Sequence, residues 1–300
     1  RMSLKRQAKS KSNTLTGQSD QNDKFVIFQS KELSKLSPQC KEKVKNAQNG
    51  NLTLLADVGY DIIHGENGFP LNEKIGKDCI LFSSTHGNGE GKAIYGILMY
   101  DGDTIPRNTI EAVKLLEEAA SSFNNSRAKL KLAQIEMSHR RNQKFVRQSD
   151  NNINYVLAKN YAKDAADDNL YEGTYLYAIL SEKKKSNQFG SIEPDFQEAF
   201  RCFKIAADNG LYDACADLGE YYTGKANLVK PDYKEATRLF KIAKDNGNMK
   251  GRAFYGMMLI YGRGVAKNEK EGMKLLKEAF DVGDPSALQI YAGLLSIGVP

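Results

Sequence analysis

Several shortages in this chain exclude functions at the outset. Its 300 residues hold three histidines, His64, His86 and His139, which lie far apart and show no zinc spacing. The four cysteines, Cys40, Cys79, Cys202 and Cys215, form no C-x-x-C pair. A secreted repeat protein stapled by disulfides would show a regular pair in each unit. These cysteines therefore read as small core residues in a reducing, cytoplasmic setting. Neither G-x-S-x-G nor H-E-x-x-H occurs. The adjacent acids Glu117-Glu118 and Asp167-Asp168 point to different helix faces and make no catalytic pair. Gly87-Asn88-Gly89-Glu90-Gly91-Lys92-Ala93 lacks both the spacing and the Ser/Thr of a phosphate loop. The longest apolar runs, such as Tyr95–Tyr100, are far too short to cross a bilayer. No secretory apolar region lies near the start. Tryptophan is absent and hydrophobic content is 41%. The expectation is a chain with no catalytic residues, no cofactor and no metal.

What the chain does have is a unit copied along its length. In residues 214–247, Ala214, Leu218 and Tyr222 fall at i, i+4 and i+8, on one face of a helix. Gly219 sits beside Leu218, where a missing Cβ lets a second helix approach closely. Asp232 and Glu235 then give a D-x-x-E helix start. Ala236, Leu239, Phe240 and Ala243 form an apolar stripe, and Gly247 ends it. The mid-helix small residue recurs at Gly59, Gly96, Ala133, Ala178, Gly219, Gly256 and Ala292, at gaps of 37, 37, 45, 41, 37 and 36 residues. Each second helix opens its stripe on a small residue: Gly76, Ala112, Ala158, Ala199, Ala236 and Gly272. The start signal repeats as Asn108/Glu111, Asp195/Glu198, Asp232/Glu235 and Asn268/Glu271. It fails at Asn72, followed by Ile75, and at Asn154, followed by Leu157. Self-similarity at this period predicts an all-α superhelix, an α/α solenoid of antiparallel helix-turn-helix repeats of about 36–45 residues.

The pattern A-x-x-x-L-G-x-x-Y-x-x-G, then G-V-x-x-D/N, then K-A-x-x-x-F/L-x-x-A-A-x-x-G resembles the Sel-one-like repeat family. That family comprises α-solenoids related to the tetratricopeptide repeat. The residues that carry the resemblance are Tyr255-Gly256, Leu259 and Gly262-Arg263-Gly264-Val265 in one unit, and Leu218-Gly219 with Tyr222 in another. It covers about residues 50–300, as about six full repeats and a truncated seventh. Gly224 departs from it, falling one residue early relative to Gly65, Gly102, Gly262 and Gly298. The resemblance implies a part in assembling protein complexes.

Residues 1–24 are polar and without periodicity, and read as a disordered arm or linker. They carry a net charge of +4 against +6 for the whole chain, so the body is only +2. This argues against a nucleic-acid-binding body. Residues 25–50 read as a degenerate or capping segment, with a helix from about Pro38 and a closing turn at Asn49-Gly50. Arg1 precedes Met2, and Gly298-Val299-Pro300 matches the start of an interhelix loop. The expectation is an excerpt of a longer protein. Residues 139–152 and 182–195 are insertions, expected as loops. Arg140, Arg141 and Lys144 make the first basic, and Lys183, Lys184 and Lys185 the second. Insertions in solenoids gather on one face, often a binding face.

The residue after each small position points away from the core by the 100° step of the helix. Those residues are Tyr60, Ile97, Gln134, Ile179, Glu220, Met257 and Gly293. Tyr60, Ile97, Ile179 and Met257 are large and apolar, and form a candidate groove for a peptide. The alternative is that each packs on the adjacent first helix. The function expected is a non-catalytic protein–protein interaction scaffold or adaptor. Its partners would be proteins or peptides, with no small-molecule substrate. A second reading is a regulatory or targeting region of a larger enzyme, such as one with a protein kinase domain. A third, nucleic-acid or anionic-surface binding, rests on the basic arm alone.

Overall fold

A computed structural model describes residues 26–28, 33–138, 154–187 and 190–296. The arm 1–24 lies outside the described residues, as does the first insertion with Arg140, Arg141 and Lys144. The described residues contain fourteen α-helices. A lone α1 (Pro38–Gln48) comes first. Six pairs follow: α2 (Leu52–His64) with α3 (Glu73–Thr85), α4 (Gly89–Asp101) with α5 (Thr109–Phe123), α6 (Ser126–Ser138) with α7 (Tyr155–Asp167), α8 (Tyr171–Ser181) with α9 (Phe196–Asp208), α10 (Tyr212–Tyr222) with α11 (Tyr233–Asp245), and α12 (Met249–Tyr261) with α13 (Glu269–Asp281). A single α14 (Pro285–Ser296) closes the series. The architecture is the expected helical solenoid.

The second insertion is not the plain loop expected. It holds a two-stranded antiparallel hairpin, β1 (Lys185–Asn187) and β2 (Gly190–Ile192), with Lys185 opposite Ile192. Ile192 is buried, and a Cβ on Gly190 would sit 3.2 Å from Val156 of α7. An alternating run with one apolar anchor, laid on a neighbouring helix, is enough to pair two short strands.

Side-chain caps start all six second helices. Oδ1 of Asn72, Asn108, Asn154, Asp195, Asp232 and Asn268 accepts the backbone N–H three residues on, at 2.9–3.2 Å. Asn72 and Asn154 thus cap their helices although the start signal is incomplete there. A cap needs only an acceptor oxygen within reach of that N–H, and the acid three residues later is not required. In two of the four units that have the acid, it turns to an arginine instead. Glu198 takes Nε and Nη2 of Arg201, both at 2.7 Å, and Glu235 takes those of Arg238 at 2.8 and 2.6 Å.

The core lies between the two helix layers. Its closest approaches are at the small positions. A Cβ on Gly59 would lie 2.8 Å from the Gly76 carbonyl oxygen, and one on Gly76 would lie 2.5 Å from the Gly59 oxygen. Gly256 and Gly272 repeat this, at 2.7 and 2.6 Å. At Gly219 the space is filled by the Phe240 ring. Tyr222, expected on the core face, is only half-buried, and Tyr221 takes the fully buried place. The early Gly224 explains this. Helix α10 stops at Tyr222, and Gly224 (φ +105°) leads into a 3₁₀ turn at residues 225–227. The four cysteines are buried and unpaired. Burial pushes the Cys79 and Cys202 thiols up to about 12.

Two predictions follow from these contacts. Gly256→Ala forces its methyl against a backbone oxygen, and should cost about 1–3 kcal/mol in urea unfolding despite the better helix propensity of alanine. A variant as stable as the parent would show that the helices can separate there without penalty. The second concerns acid. The hydrogen bonds from Arg238 hold Glu235 below the usual glutamate range. The stability this adds is complete above that range and is lost as pH falls through the depressed value. Glu235→Gln should therefore melt lower than the parent at neutral pH, with the gap closing on acidification. A gap constant with pH would remove this pair from the acid response.

Candidate interaction face of the first helices

Consecutive first helices touch: α2 with α4, α4 with α6, α6 with α8, α10 with α12, and α12 with α14. Consecutive second helices barely meet. In a curved stack the closer-spaced layer is the inner one, so the first helices line the concave side.

Their N-termini are joined by an amide ladder. Asn88 caps α4 through Oδ1, and its Nδ2 donates to Thr53 Oγ1 of α2 at 2.9 Å. Asn125 caps α6 and donates to Glu90 of α4 at 2.6 Å. Asn248 caps α12 and donates to Asp213 of α10 at 2.6 Å. One side chain thus satisfies its own helix terminus and clamps the previous unit. The signal was present in the sequence: each donor lies 35 residues after its acceptor. It was missed because start signals were sought only on second helices.

Charges on this face are paired across units. Arg127 of α6 reaches Glu90 at 3.0 Å and Asp57 at 3.6 Å, spanning three consecutive first helices. Burial, with Glu90 nearby, raises the Asp57 pKa, and Arg127 opposes the shift. Lys131 meets Asp101 at 2.6 Å. Lys250 bridges Asp217 and Glu220, at 2.7 and 2.6 Å. Lys225 bridges Glu182 and Glu220, at 2.8 and 2.7 Å. Burial alone would lower both lysine pKa values, but the facing carboxylates reverse this and raise them. Hydroxyls complete the network: Tyr175 donates to Asp217 at 2.9 Å and Tyr221 to Glu182 at 2.7 Å.

Between these pairs lie the four apolar candidates. Tyr60, Ile97, Ile179 and Met257 are all half-buried, whereas Gln134 and Gly293 are exposed. Each packs against a different core cluster, so they form a row along the array. The Tyr60 ring lies under the Arg127 guanidinium, 5.6 Å from its centroid. Lys183 is exposed, and Lys184 is paired with Glu193 at 3.2 Å. Among the described residues, no group of three or more His, Cys, Asp or Glu is arranged to hold a metal ion. No helix there is long and apolar enough to cross a membrane.

A family model described as the Sel1 repeat matches residues 90–122, 184–211, 213–248 and 250–284. The chain carries Sel1 repeats. Three of the matches coincide with helix pairs, α4–α5, α10–α11 and α12–α13, and the fourth takes in the hairpin and α9. Two further pairs, α2–α3 and α6–α7, keep the same architecture outside the matched segments. Among solved structures, the chain is similar to a Sel1 repeat protein from Oxalobacter formigenes. The identity is 19% and the TM-score 0.61, over 78% of this chain and 89% of that one. It is also similar to a protective antigen of uropathogenic Escherichia coli displaying an SLR fold, at 22% identity and a TM-score of 0.60. That likeness covers 80% of this chain and 48% of the antigen, so the chain spans about half its length. At these identities the likeness shows the fold. No curated protein matches the sequence. Sel1 repeats generally mediate protein–protein interactions.

The ladder gives a prediction. Asn248→Asp keeps the capping oxygen but sets a carboxylate against Asp213, whereas Asn88→Asp faces a threonine hydroxyl that can donate to it. The first should destabilise the array by about 1 kcal/mol or more at neutral pH, and the second by less. Thermal melts of both variants check this, and equal losses would mean that the inter-unit bond contributes nothing.

Proposed function

We propose that this Sel1 array is a non-catalytic scaffold or adaptor that holds a partner protein or peptide along the concave face of its first helices. The row Tyr60, Ile97, Ile179 and Met257 supplies the apolar contacts. The basic residues Lys183 and Lys184 extend the surface toward an acidic segment of the partner. One observation carries this reading. The charges of the inner face are satisfied within the array, while the four large apolar side chains between them remain half-open to solvent. A face of that kind favours apolar anchoring of an extended or helical chain over binding of a free charged molecule. A cytoplasmic setting belongs to the same proposal, and the four buried, unpaired cysteines support it.

The test compares proteins captured by the parent array with those captured by the triple variant Ile97→Arg, Ile179→Arg, Met257→Arg. Leu81→Arg, on the exposed side of α3, is the control. The expected result is a set of partners retained by the parent and the control and lost by the triple variant, with all three arrays equally helical. Partners retained equally by all three would place recognition elsewhere.

A further inference from the structure

Six arginines lie among the described residues, and four of them pair with carboxylates of the array itself: Arg127 with Glu90, Arg201 with Glu198, Arg238 with Glu235 and Arg252 with Glu278. Arg107 rests on the Tyr100 ring. Arg263, in the loop after α12, is held from two sides. Its guanidinium lies 5.2 Å from the centroid of the Tyr233 ring and 5.3 Å from that of Tyr261. Its backbone is fixed as well. The Arg263 N–H donates to the Met258 carbonyl at 3.0 Å, and the Arg263 carbonyl accepts from Thr237 Oγ1 at 2.8 Å. Gly264 (φ +70°) lets the loop lie on α11, because a Cβ there would collide with the Tyr233 carbonyl oxygen. The fifth and sixth helix pairs thus hold this one side chain between them. Lys230 and Lys234 flank Tyr233 in the sequence, and both are exposed. Neither they nor Arg263 pairs with an acid among the described residues. The acids of these two segments are engaged elsewhere. Asp232 Oδ1 accepts the N–H groups of Lys234 and Glu235, Glu235 takes Arg238, and Glu269 takes Lys267.

We propose that Arg263, with Lys230 and Lys234, is a site for the phosphoryl group of a phosphorylated segment on a partner protein. Stacking between two rings fixes the plane of the guanidinium without neutralising it, and leaves its N–H edges to a ligand. That fork matches two oxygens of a phosphoryl dianion, and the two lysines at the start of α11 supply the remaining charge. A single carboxylate would leave most of that charge unmatched. A membrane surface or a nucleic acid is disfavoured, because each calls for an extended basic field, and residues 25–300 carry a net charge of only +2. The site uses none of the residues of the concave row, so it can fail without affecting the apolar anchoring proposed there.

Retention of a degenerate peptide library with a fixed central phosphoserine, on the immobilised full chain, tests the proposal. The unphosphorylated library is the comparison. The expected result is a preference for the phosphorylated library of about tenfold or more. Arg263→Lys keeps the charge and the backbone but loses the planar fork, and should remove most of that preference. Tyr261→Leu, at an exposed position, should lower it about threefold by freeing one side of the clamp. The triple variant Ile97→Arg, Ile179→Arg, Met257→Arg should keep it, as should Lys241→Ala, farther along α11. Vesicles containing phosphatidylserine should not be retained. Equal retention of the two libraries would overturn the proposal, as would a preference unchanged by Arg263→Lys or one lost in the triple variant. Retention of the vesicles in place of the phosphorylated library would overturn it in favour of a membrane surface.

Discussion

Everything in this array depends on how closely the two helices of a unit approach at one point. At Gly59 and Gly76, and again at Gly256 and Gly272, each glycine faces the backbone oxygen of the other at a distance that leaves no room for a methyl group. Where the small residues are alanines, as at Ala178 and Ala199, both are fully buried. The close approach fixes the crossing of each pair, and the crossing repeated at every unit sets the path of the superhelix. Leu and Ile side chains above and below it then fill the space on either side. A helix-propensity cost of about 1 kcal/mol for each glycine is outweighed by the packing that its absent side chain allows.

The same approach explains which parts of the fold were legible in the sequence. Small residues at a fixed period, each preceded by an aliphatic or aromatic residue, are local signals, and they placed the helices well. The caps of the second helices were also local. At Asn72 and Asn154 the signal lacks its acid, yet the cap forms, because the asparagine oxygen alone reaches the N–H three residues on. What could not be read was anything that depends on the placement of one unit against the next. Arg127 reaches Glu90 and Asp57 only because three first helices crowd together on the inner side. No pairwise pattern along the chain announces that. The hairpin at 185–192 was missed for a related reason. Its strands are three residues each and take their support from Val156 and the burial of Ile192, not from strand propensity.

The candidate face was legible in part. The one-residue offset from the small position correctly picked side chains outside the core, since Tyr60, Ile97, Ile179 and Met257 all retain solvent contact. It did not show that each also leans on its own core cluster, nor that the charged residues beside them would be paired internally. Both follow from curvature. On the concave side neighbouring helices converge, so side chains pointing away from the core meet those of the next unit before they meet water.

The ladder of asparagines is interrupted in the middle of the array, and the interruptions there show how the array compensates. Helices α8 and α10 begin after Leu170 and Leu211, which offer no side-chain cap. There the units are tied differently. Asp168 at the end of α7 accepts from Ser126 at 2.7 Å and from the buried Lys129 at 3.1 Å. One junction further on, Tyr175 reaches Asp217, and Glu182 takes both Tyr221 and Lys225. An amide clamp has been replaced by half-buried ions and phenols. Such a network recovers its desolvation cost only if every member is satisfied, so it tolerates fewer substitutions than a neutral amide does. Lys225 enters it because the early Gly224 stops α10 short and folds the next turn inward. The one glycine out of register with the repeat is therefore what allows the junction without asparagine to close.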